Sequence, residues 1–157
     1  MILMEQEPQT QAFKAYFDQD LFAAQCGISI VEMRSGYART QMVAEDRHLN
    51  SFGAVHGGAL FTLADMAFAA AANAHGTLAV GLNCTMSYTK AAPKGLLIAE
   101  AVEDSLSPRI ATYLIHIKTG TGDQVATFQG MAYRKGVPLE KAGRLDTGTD
   151  TPASEAR

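Results

Sequence analysis

The run His56-Gly57-Gly58-Ala59-Leu60-Phe61-Thr62-Leu63-Ala64-Asp65-Met66-Ala67-Phe68 sets one carboxylate into an otherwise apolar stretch. From Ala59 to Ala72 only Thr62 and Asp65 are polar. A helix that is apolar all round is covered rather than laid on a surface, so Asp65 is expected to be buried. Burying a carboxylate costs roughly several kcal/mol unless it is paired or neutralised. Gly57 and Gly58 open the same helix, although each weakens a helix by about 1 kcal/mol relative to Ala. Glycines there let a reacting group approach the unpaired N–H donors of the first turn. Donors at the positive end of a helix can hold a developing oxyanion. A nearby acid can act as general base or nucleophile. The pair points to carbonyl chemistry.

Spacing adds a constraint. Asp65 lies eight residues beyond Gly57, roughly 12 Å along a helix axis. It cannot reach a carbonyl held at the start of its own helix. Two antiparallel copies of the helix, each Asp65 facing the other copy's Gly57, would bring the groups together. The separation asks for a dimer with shared sites.

The elements that must position these groups fit in one domain. The chain has 157 residues, 47% of them hydrophobic and 18% charged, a soluble globular composition of single-domain size. A net charge of −3 argues against nucleic acid as a partner. Cys26 and Cys84 have no metal-ligand spacing and no disulfide framework around them, so a reduced, cytoplasmic setting is expected. Residues 1–9 carry two acids and lack the pattern of a signal peptide, and the apolar stretch around Asp65 is too short to span a bilayer.

Phe13, Phe17, Leu21 and Ala24 recur at helical spacing and predict one amphipathic helix over 10–25. Ile28 to Arg34 and Tyr37 to Ala44 flank Ser35-Gly36 as a hairpin. A loop over 45–55 leads into the central helix, which glycine stops near His75-Gly76. Four strands follow, over 78–89, 96–106, 109–118 and 124–134. Alternation puts Ala111, Tyr113, Ile115 and Ile117 on one face, with Ile110 and Leu114 on the other, so both faces are expected to be partly covered. Residues 1–9 are expected to be flexible, 10–135 to form the domain, and the polar stretch 136–157 to be a mobile tail. The fold class is α+β, one antiparallel sheet against one buried helix.

Asn50, His56, Gly57, Gly58, Leu63, Ala64, Asp65, Ala67, Phe68, Ala69 and Asn73 stand in a pattern that resembles the PaaI-type acyl-CoA thioesterases of the hotdog superfamily. The element order is similar over 12–135. The resemblance implies a curved antiparallel sheet wrapped around a long central helix, dimers joined sheet edge to sheet edge, and further pairing into tetramers. It implies hydrolysis of acyl-CoA thioesters, aryl-acetyl or medium-chain, to free acid and coenzyme A. Residue by residue, it implies Gly57 as the backbone N–H donor to the thioester oxygen and Asp65 as the catalytic carboxylate. Asn50 and His56 would line the site and place the carbonyl or the water. Many relatives carry Thr or Ser where this chain reads Val80-Gly81-Leu82-Asn83; Gly81 has no hydroxyl, so that polar contact is either missing or supplied by Asn83 or Thr85. No bound cofactor is implied, since coenzyme A is part of the substrate. Lys90 is the expected phosphate contact, with Lys94 and Arg134 as helpers. Gly58 and Phe61 are further substrate-binding candidates, with Leu60, Met66 and Phe68 as nearby apolar surface.

Each group also has a plainer reading. Asp65 could be a structural acid tied to an arginine or the backbone, His56 a helix cap, Asn50 a loop hydrogen-bonder, the glycines packing residues. His48, His75 and His116 have no clustered acids or cysteines, read as surface or filler residues, and give no metal site. Two other functions compete. A hotdog hydratase or dehydratase would need its histidine as a working acid–base group. A non-catalytic acyl-CoA-binding module would not need the acid, which is present here.

Overall fold

Apolar–polar alternation lays down six strands, and the long alanine-rich segment between the second and third forms the helix they enclose. The computed structural model describes residues 6–143, with side chains from residue 11 onward. Helices α1 (Gln6–Phe17) and α2 (Leu21–Gln25) precede strands β1 (Ile28–Arg34) and β2 (Tyr37–Ala44). The central helix α3 (Gly57–Asn73) follows, then β3 (Thr77–Tyr88), β4 (Gly95–Leu106), β5 (Ile110–Thr119) and β6 (Gln124–Pro138). The strands make one antiparallel sheet in the order β1-β2-β4-β5-β6-β3, so β1 and β3 are its edges.

Helix α3 touches all six strands, which requires the sheet to curl around it. Alanines make the close approach possible. Ala64, Ala67 and Ala71 of α3 and Ala38, Ala99, Ala101 and Ala111 of the sheet are all buried. Between them Leu63, Leu97, Ile115, Ile117 and Phe128 fill the core. The buried Thr40 hydroxyl donates to the Leu63 carbonyl at 2.8 Å, so the polar group in this layer is satisfied. At the far end Asn73 fastens α3 to β3. Its amide nitrogen donates to the Ala69 and Ala79 carbonyls and its oxygen accepts from the Ala79 N–H. This is the α+β hotdog arrangement.

Three boundaries differ from the sequence expectation. The single helix over 10–25 is two helices, because Asp20 caps a new one with its carboxylate on the Ala23 N–H at 2.9 Å. The expected tail does not begin at Gly136. Strand β6 runs on to Pro138, which pairs with Thr77. The Leu139 N–H then donates to the Gly76 carbonyl, and the Leu139 side chain is buried. Burial of one leucine outweighs the polar composition around it. The flexible start expected over 1–9 meets a helix from Gln6. Residues 1–5, and the rest of the expected tail over 144–157, lie outside the described residues.

Candidate active site

Helix α3 begins where its chemistry was expected. His56 is the N-cap, and its Nδ1 accepts the Gly58 N–H at 2.9 Å. That uses one donor of the first turn and assigns the lone pair to Nδ1. The Gly57 N–H meets no acceptor among the described residues, and it sits at the positive end of a 17-residue helix. The Tyr88 hydroxyl donates to the Gly57 carbonyl at 3.1 Å. A Cβ on Gly57 would come within 3.0 Å of the Tyr88 ring. An alanine there would press on the Tyr88 ring, so glycine suits this close approach.

Asn50 holds the preceding loop. Its Oδ1 accepts from the Phe52 and Ala54 N–H groups at 2.9 and 3.2 Å, so the plain loop reading of this residue holds for the oxygen. The loop forms one wall of a hollow of about 500 Å³ lined by Asn50, Val55, Gly57, Leu60, Tyr88 and Lys90. The Lys90 ammonium makes a 3.4 Å ion pair with Asp123, both ends exposed. Exposed pairs of this kind contribute little, and Lys90 can turn toward an anion. Lys94 bonds Asp46 at 2.7 Å, and this hydrogen bond, helped by the lysine's charge, holds the Asp46 carboxyl below its ordinary range. Lys90 and Lys94 share a second hollow of about 460 Å³ next to the first. Arg134 lies elsewhere, donating to the Ser107 carbonyl at 3.1 Å near the other end of β6.

Asp65 is exposed in the single chain, contrary to the burial expected from its apolar neighbours. The sheet covers most of α3 but leaves open a stripe through Gly58, Thr62, Asp65 and Ala69, each three or four residues from the next. Asp65 opens onto a separate hollow of about 290 Å³, walled by α1, α3 and β3. Protein crowds the carboxylate on enough sides that lost hydration, followed by the charge of Asp20, raises its pKa above the ordinary value. Among the described residues neither a hydrogen bond nor a cation offsets the shift, and no arginine pairs with the acid. Its charge in turn, after burial, helps raise the Cys84 thiol. An unpaired carboxylate biased toward taking up a proton suits a base.

The remaining candidates scatter. A bulge at Leu82 shifts the pairing, with Gly81 opposite Ala132 and Asn83 opposite Met131. Beyond it Cys84 and Met86 pack inward, which turns Asn83 and Thr85 to the outer face, in a third hollow with Asp104 and Gln129. They are not brought to Asp65 or Gly57 within the chain. Gly81 does line the Asp65 hollow, where a Cβ would lie 3.3 Å from the Phe68 ring. Phe61 stacks edge-on against Phe128 at 5.2 Å and belongs largely to the core. His48 is buried rather than superficial. It bridges the Glu45 N–H and the Cys26 carbonyl. His75 lies 2.5 Å from Glu103, which also accepts from Tyr113. Sequence reasoning missed Tyr88, Tyr16, Phe17 and Asp20. Only the cap-type aspartate and the Tyr16-Phe17 pair carried a usable signal.

The Gly57 and Asp65 hollows thus lie at opposite ends of the edge strand β3, one beside Tyr88 and the other beside Leu78 to Gly81. Comparison with known proteins identifies the family. A model of the thioesterase superfamily matches residues 52–126. The chain is 44% identical over 106 residues to a proposed esterase of Archaeoglobus fulgidus, covering 67% of this chain and 69% of that one. It is 35% identical over 123 residues to the acyl-coenzyme A thioesterase PaaI of Escherichia coli K12, covering 78% of this chain and 88% of that protein. The solved structure of the E. coli PaaI protein, from the phenylacetic acid degradation operon, superposes with a TM-score of 0.78 at 33% identity, over 85% of this chain and 96% of that one.

Proposed function

The chain belongs to the thioesterase superfamily, in its PaaI-type hotdog branch, and is a thioester hydrolase; from that premise we propose that it hydrolyses acyl-CoA thioesters at sites shared between two subunits. The observation that carries the reading is the placement of two incomplete half-sites at opposite ends of the unpaired edge β3. Antiparallel pairing of two β3 edges about their middle sets the Tyr88 end of one against the Leu78 end of the other. The free Gly57 N–H then faces the partner subunit's Asp65.

In this reading the thioester oxygen sits on the Gly57 N–H at the positive end of α3, where charge grows as the carbonyl becomes tetrahedral. Asp65 takes a proton from water as the water oxygen bonds to the carbonyl carbon. Collapse breaks the C–S bond, and the leaving thiolate recovers a proton. Alternatively the carboxylate itself attacks and water hydrolyses the resulting anhydride. His56 serves as the cap, its Nδ1 already engaged. The coenzyme runs past Lys90 toward Lys94, whose hollows adjoin, with Lys90 on a phosphate. Aryl-acetyl and medium-chain acyl groups are the proposed substrates, supported by the likeness to PaaI. Leu96, Val102 and Met131, exposed on the outer face of the sheet, support pairing of dimers into a tetramer.

Thiol release from phenylacetyl-, hydroxyphenylacetyl-, benzoyl- and straight-chain acyl-CoA tests the activity. Turnover of aromatic or medium-chain substrates is expected. Absorbance change from an enoyl thioester without thiol release would replace the reading with a hydratase. Full activity from a particle of monomer mass in light scattering would remove the shared site.

A further inference from the structure

We infer that the last turn of helix α1, through Phe17 and Tyr16, is the wall that sets acyl size in this enzyme. The inference rests on the thioesterase reading above and concerns the hollow beside Asp65.

Helix α1 is anchored by the buried Phe13 against the core. One turn later its end lands on the Asp65 hollow, where Tyr16 and Phe17 stack edge-on with ring centres 5.4 Å apart. Across the hollow stand Phe68, Ala69, Leu78 and Val80. Ala69 lies one turn beyond Asp65 on the same open stripe of α3, and Gly81 keeps the floor clear. The surface facing an acyl group is therefore apolar apart from two side chains. Asn73 also borders it, but both its N–H donors and its oxygen are engaged in fastening α3 to β3. That leaves Asp65 and Tyr16 as the polar side chains of the lining.

Size argues for the same occupant. A cavity of about 150 Å³ holds a benzene ring, so about 290 Å³ takes one ring with a short spacer or a chain of medium length. A longer acyl group would run into Phe17. Because the hollow opens on Asp65, an acyl group seated there presents its carbonyl carbon to the carboxylate. A hydrophobic pocket separates substrates differing by one methylene by roughly 10- to 200-fold, so trimming its wall should move the profile measurably.

The test compares kcat/KM for acetyl-, hexanoyl-, decanoyl-, phenylacetyl- and 4-phenylbutyryl-CoA in the wild type, Phe17→Ala, Tyr16→Ala and Phe17→Leu. The expected result for Phe17→Ala is a rise of about tenfold or more in the ratio of 4-phenylbutyryl- to phenylacetyl-CoA, with Phe17→Leu between it and the wild type. Phe22→Ala, exposed on α2 and outside the hollow, should keep the wild-type profile. Equal loss on every substrate, or an unchanged ratio in folded variants, overturns the inference while leaving the hydrolase reading intact. A wild type that releases no thiol from any of the five removes both. Should Phe17→Ala fail to fold, Tyr16→Ala and Phe17→Leu carry the same comparison of ratios.

Discussion

If Asp65 is the base proposed above, its raised pKa couples the chemistry to the stability of the fold. The folded chain binds that proton more tightly than the unfolded chain, so the group favours folding most below the ordinary carboxylate pKa. That contribution is lost as pH rises through the raised value. At neutral pH the charge is therefore a burden on the fold, and Asp65→Asn should melt no lower than the wild type while losing about 10²-fold or more in thiol release. A folded Asp65→Asn variant with near-normal hydrolysis would return the acid to a structural role. The same shift predicts a pH profile. The base form is lost as pH falls through the raised pKa, so the acid limb of kcat/KM should lie above the ordinary carboxylate range. Hydration lost to the surrounding protein is the larger cause and Asp20 the second. Asp20→Asn removes the charge while keeping a good cap on α2, and should move the limb toward lower pH without abolishing the shift. A limb that stays in place would separate Asp20 from the site. Cys84, the other titrating neighbour coupled to Asp65, has its own pKa raised and remains a neutral thiol over this range.

At the level of elements, the start of α3 separates capping from proton transfer. His56 caps through a ring nitrogen that accepts the Gly58 N–H, and asparagine can do the same with its side-chain oxygen. His56→Ala should cost about 0.5–2 kcal/mol in stability, read from denaturant midpoints, whereas His56→Asn should recover most of it together with activity. Loss of activity in a stable His56→Asn variant would make the imidazole itself part of the chemistry. The same helix shows what a sequence displays. Its limits were legible because His-Gly-Gly and Gly76 bracket an unbroken apolar run, and β1 and β2 were legible because alternation meets a Ser-Gly turn. The bulge at Leu82 was not legible. It comes from how β3 pairs with β6, and it sends Asn83 and Thr85 to the outer face. Nor was the exposure of Asp65, since an apolar stripe closed by the chain's own sheet looks the same in sequence as one left open. The end of β6 misled for a related reason. One buried leucine decides it, and composition averages a single leucine away.

For the whole molecule the decisive property is that Gly57 and Asp65 lie on one helix and point to different hollows. If each site takes its oxyanion donor from one chain and its carboxylate from the other, defects in the two residues must complement. Gly57→Pro removes the N–H, and Asp65→Asn removes the base; each alone should be inactive as a homodimer. In a mixed dimer one site collects both defects and the other has neither. With equal amounts and random exchange, half the dimers are mixed, and about one quarter of all sites are intact. Thiol release should therefore rise from near zero toward about a quarter of the wild-type rate as subunits exchange. Because Gly57 packs on the Tyr88 ring, Gly57→Pro must first be shown to fold and dimerise, by circular dichroism and light scattering. Given two folded parents and exchange verified with tagged subunits, no recovery would place both groups in one chain or remove Gly57 as the donor. Recovery would fix the dimer as the catalytic unit, because no rearrangement within a single chain can repair either lesion.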